Sequence, residues 1–349
     1  MKKVTVVATL YLAAVLSLTG CTGSTGSGSD DVNGPETAQA EKTEQSEQKT
    51  EDKALENAAE SKEESRSVTF VLKNLVNPFC VTVKEGAEQA ARDNNINLTV
   101  LTPVQGDNNE ELMQLTEQAV ASGDCDVLVV FPSDSIGIIP AVQKAYDAEI
   151  PVVILNTAIK SEEKIWETFV ACKDWEIGRA CGEALVERMD YKGNVILIEG
   201  VTGAQISIDR IGGAREVIES YPDMKVVASQ PADMNRAKAM EVMQNLLQAH
   251  PDVNGVWAIN DEMALGCVEA IAAAGKSDQI IIGGCNGDTE GRNALKEGKL
   301  AFDCDISPFN QGYQAILAAA KIIDGEEVEE RIVTDMRILD MNHADEVIQ

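Results

Sequence analysis

Short runs of branched apolar residues alternate along this chain with longer segments that carry apolar residues at helical spacing. Val127 to Phe131 and Val195 to Glu199 have the composition of buried strands, and Phe79 to Asp93 has the period of an amphipathic helix. Strands and helices in alternation form parallel sheets covered by helices. The other predicted strands are Val68 to Lys73, Ile96 to Leu101, Val152 to Asn156, Val226 to Ser229, Val256 to Asn260 and Ile280 to Gly283. The pattern predicts an α/β fold with doubly wound parallel sheets.

The folded part is predicted to begin near Ser67, where this alternation starts. From there to Gln349 the chain is longer than one ordinary hydrophobic core supports, so two domains are predicted. The whole chain carries a formal net charge of -29. Nucleic acids and anionic lipid surfaces bind basic faces, so neither is expected as a partner.

The first residues have the layout of a secretion signal. Lys2 and Lys3 precede an apolar stretch from Val4 to Leu18, and small residues then lead to Cys21. The end of this segment resembles a bacterial lipoprotein signal, which implies that residues 1–20 are removed and that Cys21 is acylated and holds the protein on the outer face of a membrane. An uncleaved transmembrane helix is the alternative, but the apolar stretch is short for the roughly 20 residues that a span requires.

Residues 21–66 are rich in Gly, Ser, Thr, Glu, Gln and Lys and contain almost no branched or aromatic residues. Such a composition cannot bury enough apolar surface to offset the entropy of folding. We therefore predict a disordered acidic tether between the lipidated cysteine and the folded part.

Cysteine and histidine usage limits the chemistry that the chain can perform. Only His250 and His343 are available, which leaves little for histidine-centred catalysis or for histidine metal sites. The cysteines other than Cys21 are odd in number and include no C-x-x-C pair, so neither a disulfide framework nor a zinc site is indicated. They are Cys80, Cys125, Cys172, Cys181, Cys267, Cys285 and Cys304. Their apolar surroundings predict mostly buried thiols, and no cofactor or metal is predicted.

Polar residues, many of them amides, follow several of the predicted strands. In open α/β sheets the ligand crevice lies at the carboxyl ends of the strands, so these positions are candidates for a binding site. The alternative for each of them is a helix cap or a turn residue. The positions are Lys73, Asn77, Phe131 through Asp134, Asn156, Asn260 with Asp261, and Asn286.

Several longer motifs carry a family resemblance from Val68 to Leu339. They are Asn77-Pro78-Phe79, Ser229-Gln230-Pro231-Ala232-Asp233, Met243-Gln244-Asn245-Leu246-Leu247, Asn260-Asp261-Glu262-Met263-Ala264-Leu265-Gly266 and Gly284-Cys285-Asn286-Gly287. Through them the chain resembles the periplasmic sugar-binding proteins of ABC transporters, of the ribose- and allose-binding type. The resemblance implies a monomeric receptor of two lobes that close on one small sugar-like ligand and deliver it to an ABC permease.

The resemblance also implies how the chain divides. The N-terminal lobe is expected to comprise residues 67–172 and 307–334, and the C-terminal lobe residues 173–306 and 335–349. Three crossings between the lobes are expected, near Cys172 to Asp174, near Ile306 to Ser307 and near Thr334.

The resemblance assigns roles to some of the candidate residues. Phe79 is expected to stack on a sugar ring, Lys73 to donate to a ligand oxygen, and Arg210 to grip two adjacent oxygens. Asn260 both donates and accepts, as a hydroxyl group does. Phe79 in the core, Lys73 in solvent and Arg210 in a helix ion pair are the alternatives. The complete predicted ligand set is Lys73, Asn77, Phe79, Phe131, Asn156, Trp175, Arg210, Met234, Asn260 and Asn286.

The chain departs from the family pattern at positions that decide ligand identity. Asn156 and Asn286 stand where neutral-sugar members place aspartates, and Met234 stands in place of a stacking aromatic. Cys80 replaces a second aromatic residue, and Ile306 replaces a glutamine. Trp175 is a candidate for the missing aromatic wall.

Two ligand classes follow from these departures. A neutral sugar or polyol agrees with the family, whereas the loss of two carboxylates beside Lys73 and Arg210 favours an anionic sugar derivative, unless Asp303 or Asp305 faces the cleft and restores the charge balance.

One other function fits a chain of this kind, and two more are not indicated. A sensor that feeds a membrane kinase or chemoreceptor would have the same sequence features. An enzyme is not indicated, because Ala274-Gly275-Lys276-Ser277 lacks the earlier glycine of a phosphate-binding loop, with Ala270 in its place. A gene repressor is not indicated either, because an export signal occupies the place of a DNA-binding helix-turn-helix.

Overall fold

A computed structural model describes residues 66–346. Its first sheet contains six parallel strands in the spatial order β11-β5-β4-β3-β1-β2. Five strands come from one continuous stretch of chain and the sixth returns from near the C-terminus. They are β1 (Ser67–Leu72), β2 (Asn97–Leu101), β3 (Val127–Phe131), β4 (Val152–Leu155), β5 (Thr168–Ala171) and β11 (Arg331–Val333).

The second sheet repeats this arrangement, with the order β12-β10-β9-β8-β6-β7. Its last strand, β12, runs antiparallel to β10, with Cys304 opposite Ile338. The other pairs are parallel. The strands are β6 (Gly193–Glu199), β7 (Met224–Pro231), β8 (Gly255–Ala258), β9 (Ile281–Asn286), β10 (Phe302–Asp305) and β12 (Arg337–Leu339).

The helices connect successive strands and cover the sheets. Many begin at a polar residue that caps the first turn: the Asn77 side chain accepts from the Phe79 amide, and the Asn260 side chain accepts from the Met263 amide. The helices are α1 (Pro78–Asp93), α2 (Asn109–Ser122), α3 (Ile139–Asp147), α4 (Asp174–Arg188), α5 (Gln205–Glu219), α6 (Arg236–Ala249), α7 (Asp261–Ala273), α8 (Thr289–Lys296) and α9 (Pro308–Ile323).

The central strands are buried on both faces. Every residue of β3 and of β8 is buried, and Trp257 of β8 is completely enclosed. Continuous apolar strands of this kind are expected where helices cover a parallel sheet on both sides. The two sheets therefore confirm the α/β fold class and the doubly wound parallel architecture.

Glycine allows α4 and α5 to pack in direct backbone contact. A Cβ atom added at Gly178 of α4 would lie 2.1 Å from the Arg210 carbonyl oxygen of α5. Because no side chain separates the two helices here, Arg210 lies close to the first turn of α4. The same device joins α1 and α9, where a Cβ at Gly86 would lie 1.9 Å from the Phe309 carbonyl oxygen.

The chain passes from one sheet to the other three times: between β5 and α4, between β10 and α9, and between β11 and β12. The exact lobe boundaries stay a prediction. Arg66, the last residue of the predicted tether, is attached to the first lobe, because its guanidinium donates to the Asn94 carbonyl and pairs with Asp324. The predicted signal peptide, Cys21 and the rest of the tether lie outside the described residues. Among residues 66–346 no helix is both long and apolar enough to cross a membrane.

Candidate functional site

A cavity of about 900 Å³ lies at the carboxyl ends of both sheets. Residues that follow strands of the first sheet line one side, and residues of the second sheet line the other. Nine of the ten predicted ligand residues line it: Lys73, Asn77, Phe79, Phe131, Asn156, Arg210, Met234, Asn260 and Asn286. The structure thus brings these side chains together, and their contact with a ligand stays a prediction.

Aromatic and cationic groups form the wall on the side of the first sheet. The rings of Phe79 and Phe131 meet edge to face, with centroids 6.3 Å apart. The Lys73 ammonium lies 4.7 Å from the Phe131 ring centroid and 3.9 Å from a carboxylate oxygen of Asp107. Only 6% of Phe79 is exposed, so its ring is fixed by packing while it lines the cavity.

A turn stabilised by Asn74 holds this wall in place. The Asn74 side-chain oxygen accepts hydrogen bonds from the backbone amides of Val76 and Asn77, and its nitrogen donates to Asp107. Asn77 then caps α1 through the Phe79 amide at 2.9 Å. Asn77 therefore has a structural role as well as a position in the cavity lining.

In the opposite wall Arg210 connects several groups by hydrogen bonds, and it is almost completely buried. Its Nε donates to Asp174 at 2.9 Å and its Nη1 donates to the Ile259 carbonyl at 2.8 Å. Its Nη2 makes no hydrogen bond to any described residue and is available to the cavity. Burial raises the pKa of the Asp174 carboxyl, and the adjacent Arg210 guanidinium opposes that rise.

Three thiols lie behind Arg210. The Cys285 sulfur lies 3.5 Å from Arg210 Nη1, and Cys304 occupies the neighbouring position on the adjacent strand. Burial acts to raise the pKa of the Cys285 thiol, but hydrogen bonds from Cys181 and Cys304 and the Arg210 charge outweigh burial and lower it. All seven cysteines of the described residues are buried with free thiols.

Asn156, Asn260 and Asn286 differ in which side-chain donor and acceptor atoms remain available for a ligand. Asn260 uses its oxygen to cap α7, so its nitrogen remains as a donor. Asn156, in a left-handed conformation at φ 61° that asparagine tolerates, donates its nitrogen to Gln311. Asn286 makes no side-chain hydrogen bond to a described residue, so it can donate or accept.

The expectation of a positively charged cleft is not supported, because the cations in the lining have acidic partners. Arg210 pairs with Asp174, Lys73 lies beside Asp107, and Arg236 pairs with Glu262 and Glu290. Two further lining carboxylates, Asp134 and Asp233, bind Asn109 and Lys238. The lining cations are therefore balanced by carboxylates, and the excess positive charge that would favour an anionic ligand is absent.

Trp175 does not lie in the cavity lining, in contrast to our expectation. It is in the first turn of α4, is 42% exposed, and packs against α5, where a Cβ at Gly212 would lie 2.5 Å from its ring. Its neighbour Asp174 binds Arg210 of the cavity wall, and because successive side chains on a helix point about 100° apart, the Trp175 ring instead packs on α5. Met234, in contrast, does line the cavity and packs beside Gly200.

Neither Asp303 nor Asp305 faces the cleft. Asp303 is completely buried next to Asp261 and Asp288, and Asp305 pairs with Arg292 at 2.6 Å. Burial is the main cause that raises the pKa of Asp303, to about 8, and burial also raises the pKa of Asp261. These carboxyls belong to the interior of the second lobe and not to the ligand site.

Sequence reasoning missed several residues of the lining. Asp107 and Asn109 follow β2, so the rule that directed attention to the other strand ends also applies to them. Arg236, the first residue of α6, lies two positions after Met234, and Glu262, the second residue of α7, directly follows Asp261. Among the described residues no group of three or more histidine, cysteine or acidic side chains has the geometry to hold a metal ion.

Comparisons with known proteins agree with this arrangement. The profile of the periplasmic binding protein domain matches residues 68–327. The ribose import binding protein of Salmonella typhimurium is 33% identical over 273 residues, which are 78% of this chain and 90% of that protein. The D-allose-binding periplasmic protein of Escherichia coli is 30% identical over 249 residues, which are 69% of this chain and 79% of that protein.

A solved structure shows the same fold with a sugar bound. The ABC transporter periplasmic solute-binding protein of Actinobacillus succinogenes, in complex with D-allose, superposes with a TM-score of 0.77 and 32% identity and covers 80% of this chain and 99% of its own. The chain therefore belongs to the periplasmic binding protein family, among the sugar-binding proteins of ABC transporters.

Proposed function

We propose that this protein binds one neutral monosaccharide or polyol in the cavity between its two sheets and presents it to an ABC permease. The observation that carries the proposal is the composition of the cavity: an aromatic plate at Phe79, amides at both sheets, and cations that are already balanced by carboxylates. Relatives named for ribose and allose support a ligand of this size and chemistry.

The groups that face the cavity match the needs of a sugar. The apolar face of a pyranose or furanose ring packs on an aromatic ring, while its hydroxyls both donate and accept. Arg210 Nη2 and the Asn260 nitrogen supply donors, and the Asn156 oxygen supplies an acceptor. A micromolar affinity corresponds to about -8 kcal/mol, which one stacked ring and several such hydrogen bonds can supply.

Binding requires no covalent chemistry, and we propose that the protein is not an enzyme. The family consists of binding proteins. The ligand would contact residues of both sheets at once, so a closed arrangement of the lobes would be stabilised by more contacts than an open one. We take the lobes to be residues 67–172 with 307–334 and residues 173–306 with 335–349.

Membership of a periplasmic family implies export of the chain. Beyond that, we propose that Cys21 is lipidated, that residues 22–66 form a tether to the outer face of a membrane, and that the protein acts as a monomer. Mass spectrometry of the protein from its native membrane, with a Cys21→Ser variant as control, tests this directly. A mature N-terminus other than an acylated Cys21 would contradict it.

A thermal-shift panel tests the ligand class. The full-length protein is heated with D-ribose, D-allose, xylitol, D-ribonate and ribose 5-phosphate. A ligand that binds only the native state adds RT ln(1 + [L]/Kd), about 2.7 kcal/mol at one hundred times Kd, so a true ligand raises Tm by several degrees. We expect shifts with neutral members only. Shifts confined to the acid and the phosphate would contradict the proposal.

A further inference from the structure

Gln311 lies outside the cavity but touches the residues that shape it. It is in the second turn of α9, just after the chain has crossed from β10, and it is completely buried. Its side-chain oxygen accepts a hydrogen bond from Asn156 at 2.8 Å, although the two residues are 155 positions apart in the chain. Its nitrogen donates to the Ile306 carbonyl, also at 2.8 Å.

This network fixes which way both amides point. The Ile306 carbonyl oxygen can only accept, so the nitrogen of Gln311 must face it. The oxygen of Gln311 therefore faces Asn156 and accepts a hydrogen bond from the Asn156 nitrogen. The oxygen of Asn156 then faces the cavity, where no described residue donates a hydrogen bond to it. The orientation of Asn156 follows from a backbone group and not from a choice between two equivalent amide positions.

We propose that Gln311 is a positioning residue that holds Asn156 as a hydrogen-bond acceptor, so that this end of the site takes a hydroxyl or other donor group of the ligand and disfavours carboxylate and phosphate oxygens. The inference rests on the proposed sugar-binding function and adds to it a reason for the neutral ligand. An asparagine locked in this way presents one oxygen to the ligand as an aspartate would, without its charge.

The Gln311 side chain also contacts residues in the crossings between the two sheets. Ile306 lies in the second crossing, and the Cys172 sulfur, in the first, lies 3.7 Å from the Gln311 nitrogen and 3.4 Å from the Ile306 carbonyl oxygen. Cys172 also contacts Thr334 of the third crossing at 3.1 Å. The acceptor at Asn156 is thus held by groups that belong to the hinge, so its orientation is set independently of the ligand.

The test exchanges asparagine for aspartate at two cavity positions. In Asn156→Asp, a carboxylate oxygen would face the Gln311 oxygen, and only the protonated acid can donate there, which raises the pKa of the new group. Asn286→Asp is the matched control, because no described residue hydrogen-bonds the Asn286 side chain. Both variants keep the ionisable groups that surround position 156 in wild type. These groups are Lys73, Asp134 and the Cys172 thiol, which follow β1, β3 and β5, and the pair of Arg210 and Asp174 across the cavity.

Two readouts on the full-length protein separate this inference from the proposed function. Without ligand, we expect the Tm deficit of Asn156→Asp relative to wild type to grow by at least about 3 °C more from pH 5 to pH 8 than that of Asn286→Asp, because both new carboxyls are buried but only the one at position 156 faces a fixed acceptor. With D-ribose and D-allose as probes, Asn156→Asp should lose at least about tenfold more affinity at pH 8 than at pH 5. Equal pH dependence of the two variants without ligand would overturn the inference, whereas failure of wild type to bind either probe would count against the ligand class alone.

A second pair of variants keeps the test decisive if Asn156→Asp does not fold. Gln311→Glu places an acceptor against the Ile306 carbonyl unless the acid is protonated, so it should show the same widening Tm deficit toward pH 8. Gln314→Glu is the control, because Gln314 lies one turn further on the same helix and, among the described residues, its side chain hydrogen-bonds only Asn310. A flat deficit for Gln311→Glu, equal to that of Gln314→Glu, would overturn the inference.

Discussion

The two sheets share one topology, but the walls that they contribute to the cavity are built from different chemistry. The first sheet supplies the Phe79 and Phe131 rings, with Lys73 beside them and a neutral amide at Asn156. The second sheet supplies the buried ion pair of Arg210 and Asp174. Two halves of one topology thus contribute different groups to the cavity, aromatic rings on one side and a buried ion pair on the other.

The walls also differ in what stabilises them without ligand. Phe79 is held by packing, so a change there leaves a void. Arg210 is held by charge inside the protein, so a change there leaves Asp174 without its partner. Variants on the two sides should therefore separate the costs of packing and of charge.

The largest effect is expected for Arg210→Met. Removal of one partner of a buried ion pair leaves an uncompensated charge and costs about 3–5 kcal/mol. We expect urea unfolding to show a loss of that size, together with loss of sugar binding. Arg215→Met is the control, because Arg215 lies on the same helix and makes an exposed pair with Glu219, worth about 0–1 kcal/mol. Equal losses for the two variants would show that the Arg210 pair contributes no more than a surface pair.

Phe79→Ala should come next. Truncation of a largely buried phenylalanine costs about 2–4 kcal/mol where one side of the ring faces a cavity. Loss of the Phe79 ring should also weaken sugar binding at least about tenfold, which corresponds to about 1.4 kcal/mol of binding free energy. Phe309→Ala is the control, since Phe309 is 40% exposed on α9 and lies outside the lining. Unchanged affinity in calorimetric titration of Phe79→Ala would remove the stacking role.

Asp303→Asn tests the hidden carboxyls of the second lobe. The pKa of Asp303 is raised in the folded state, to about 8 from 3.8, so the folded protein holds this proton more tightly than the unfolded chain. Its contribution to stability is therefore complete below about pH 4 and is lost as the pH rises toward 8. Relative to wild type, Asp303→Asn should gain about 1–3 kcal/mol between pH 5 and pH 8 in urea unfolding.

The exposed Asp278 provides the control for this substitution. Asp278→Asn should follow the wild-type pH dependence. If Asp303→Asn does so as well, Asp303 is ionised in the folded protein throughout this range.

The smallest effect is expected for Trp175→Ala. Trp175 packs on α5 at Gly212 and is absent from the lining, so sugar affinity should stay within about twofold of wild type. Stability should fall by about 1–2 kcal/mol, because the ring is only partly buried. A tenfold loss of affinity with an unchanged enthalpy of unfolding would place Trp175 in the ligand site after all.

Much of the site could be predicted because the topology of a parallel sheet decides where its strand ends meet. Asn156 and Asn260 follow strands and Asn286 ends one, and the alternation of strands and helices already places such positions at one edge. Trp175 was expected in the lining because it follows the first crossing, and the direction of its ring depends on how α4 packs on α5 at Gly212 and Gly213, which the strand ends do not determine. The rule also covers Asp107, which follows β2.

The partners of these residues could not be predicted in the same way. Gln311 lies inside a helix, 155 positions from Asn156, and Asp174 lies 36 positions from Arg210. Such pairs depend on how the chain crosses between sheets and on how closely two helices approach at Gly178. The expectation of a positively charged cleft is wrong for this reason, because the sequence does not show that Asp107 and Asp174 lie beside Lys73 and Arg210.

A calorimetric comparison of two ligands that differ by one carboxylate tests most directly whether the ligand is a neutral sugar. The full-length protein is titrated with the neutral monosaccharide that gives the largest thermal shift and with the uronic acid of the same sugar. We expect the neutral sugar to bind at one site and the acid to bind at least about tenfold more weakly, because Lys73 and Arg210 are already balanced by carboxylates and Asn156 presents an oxygen. Tighter binding of the uronic acid would contradict it.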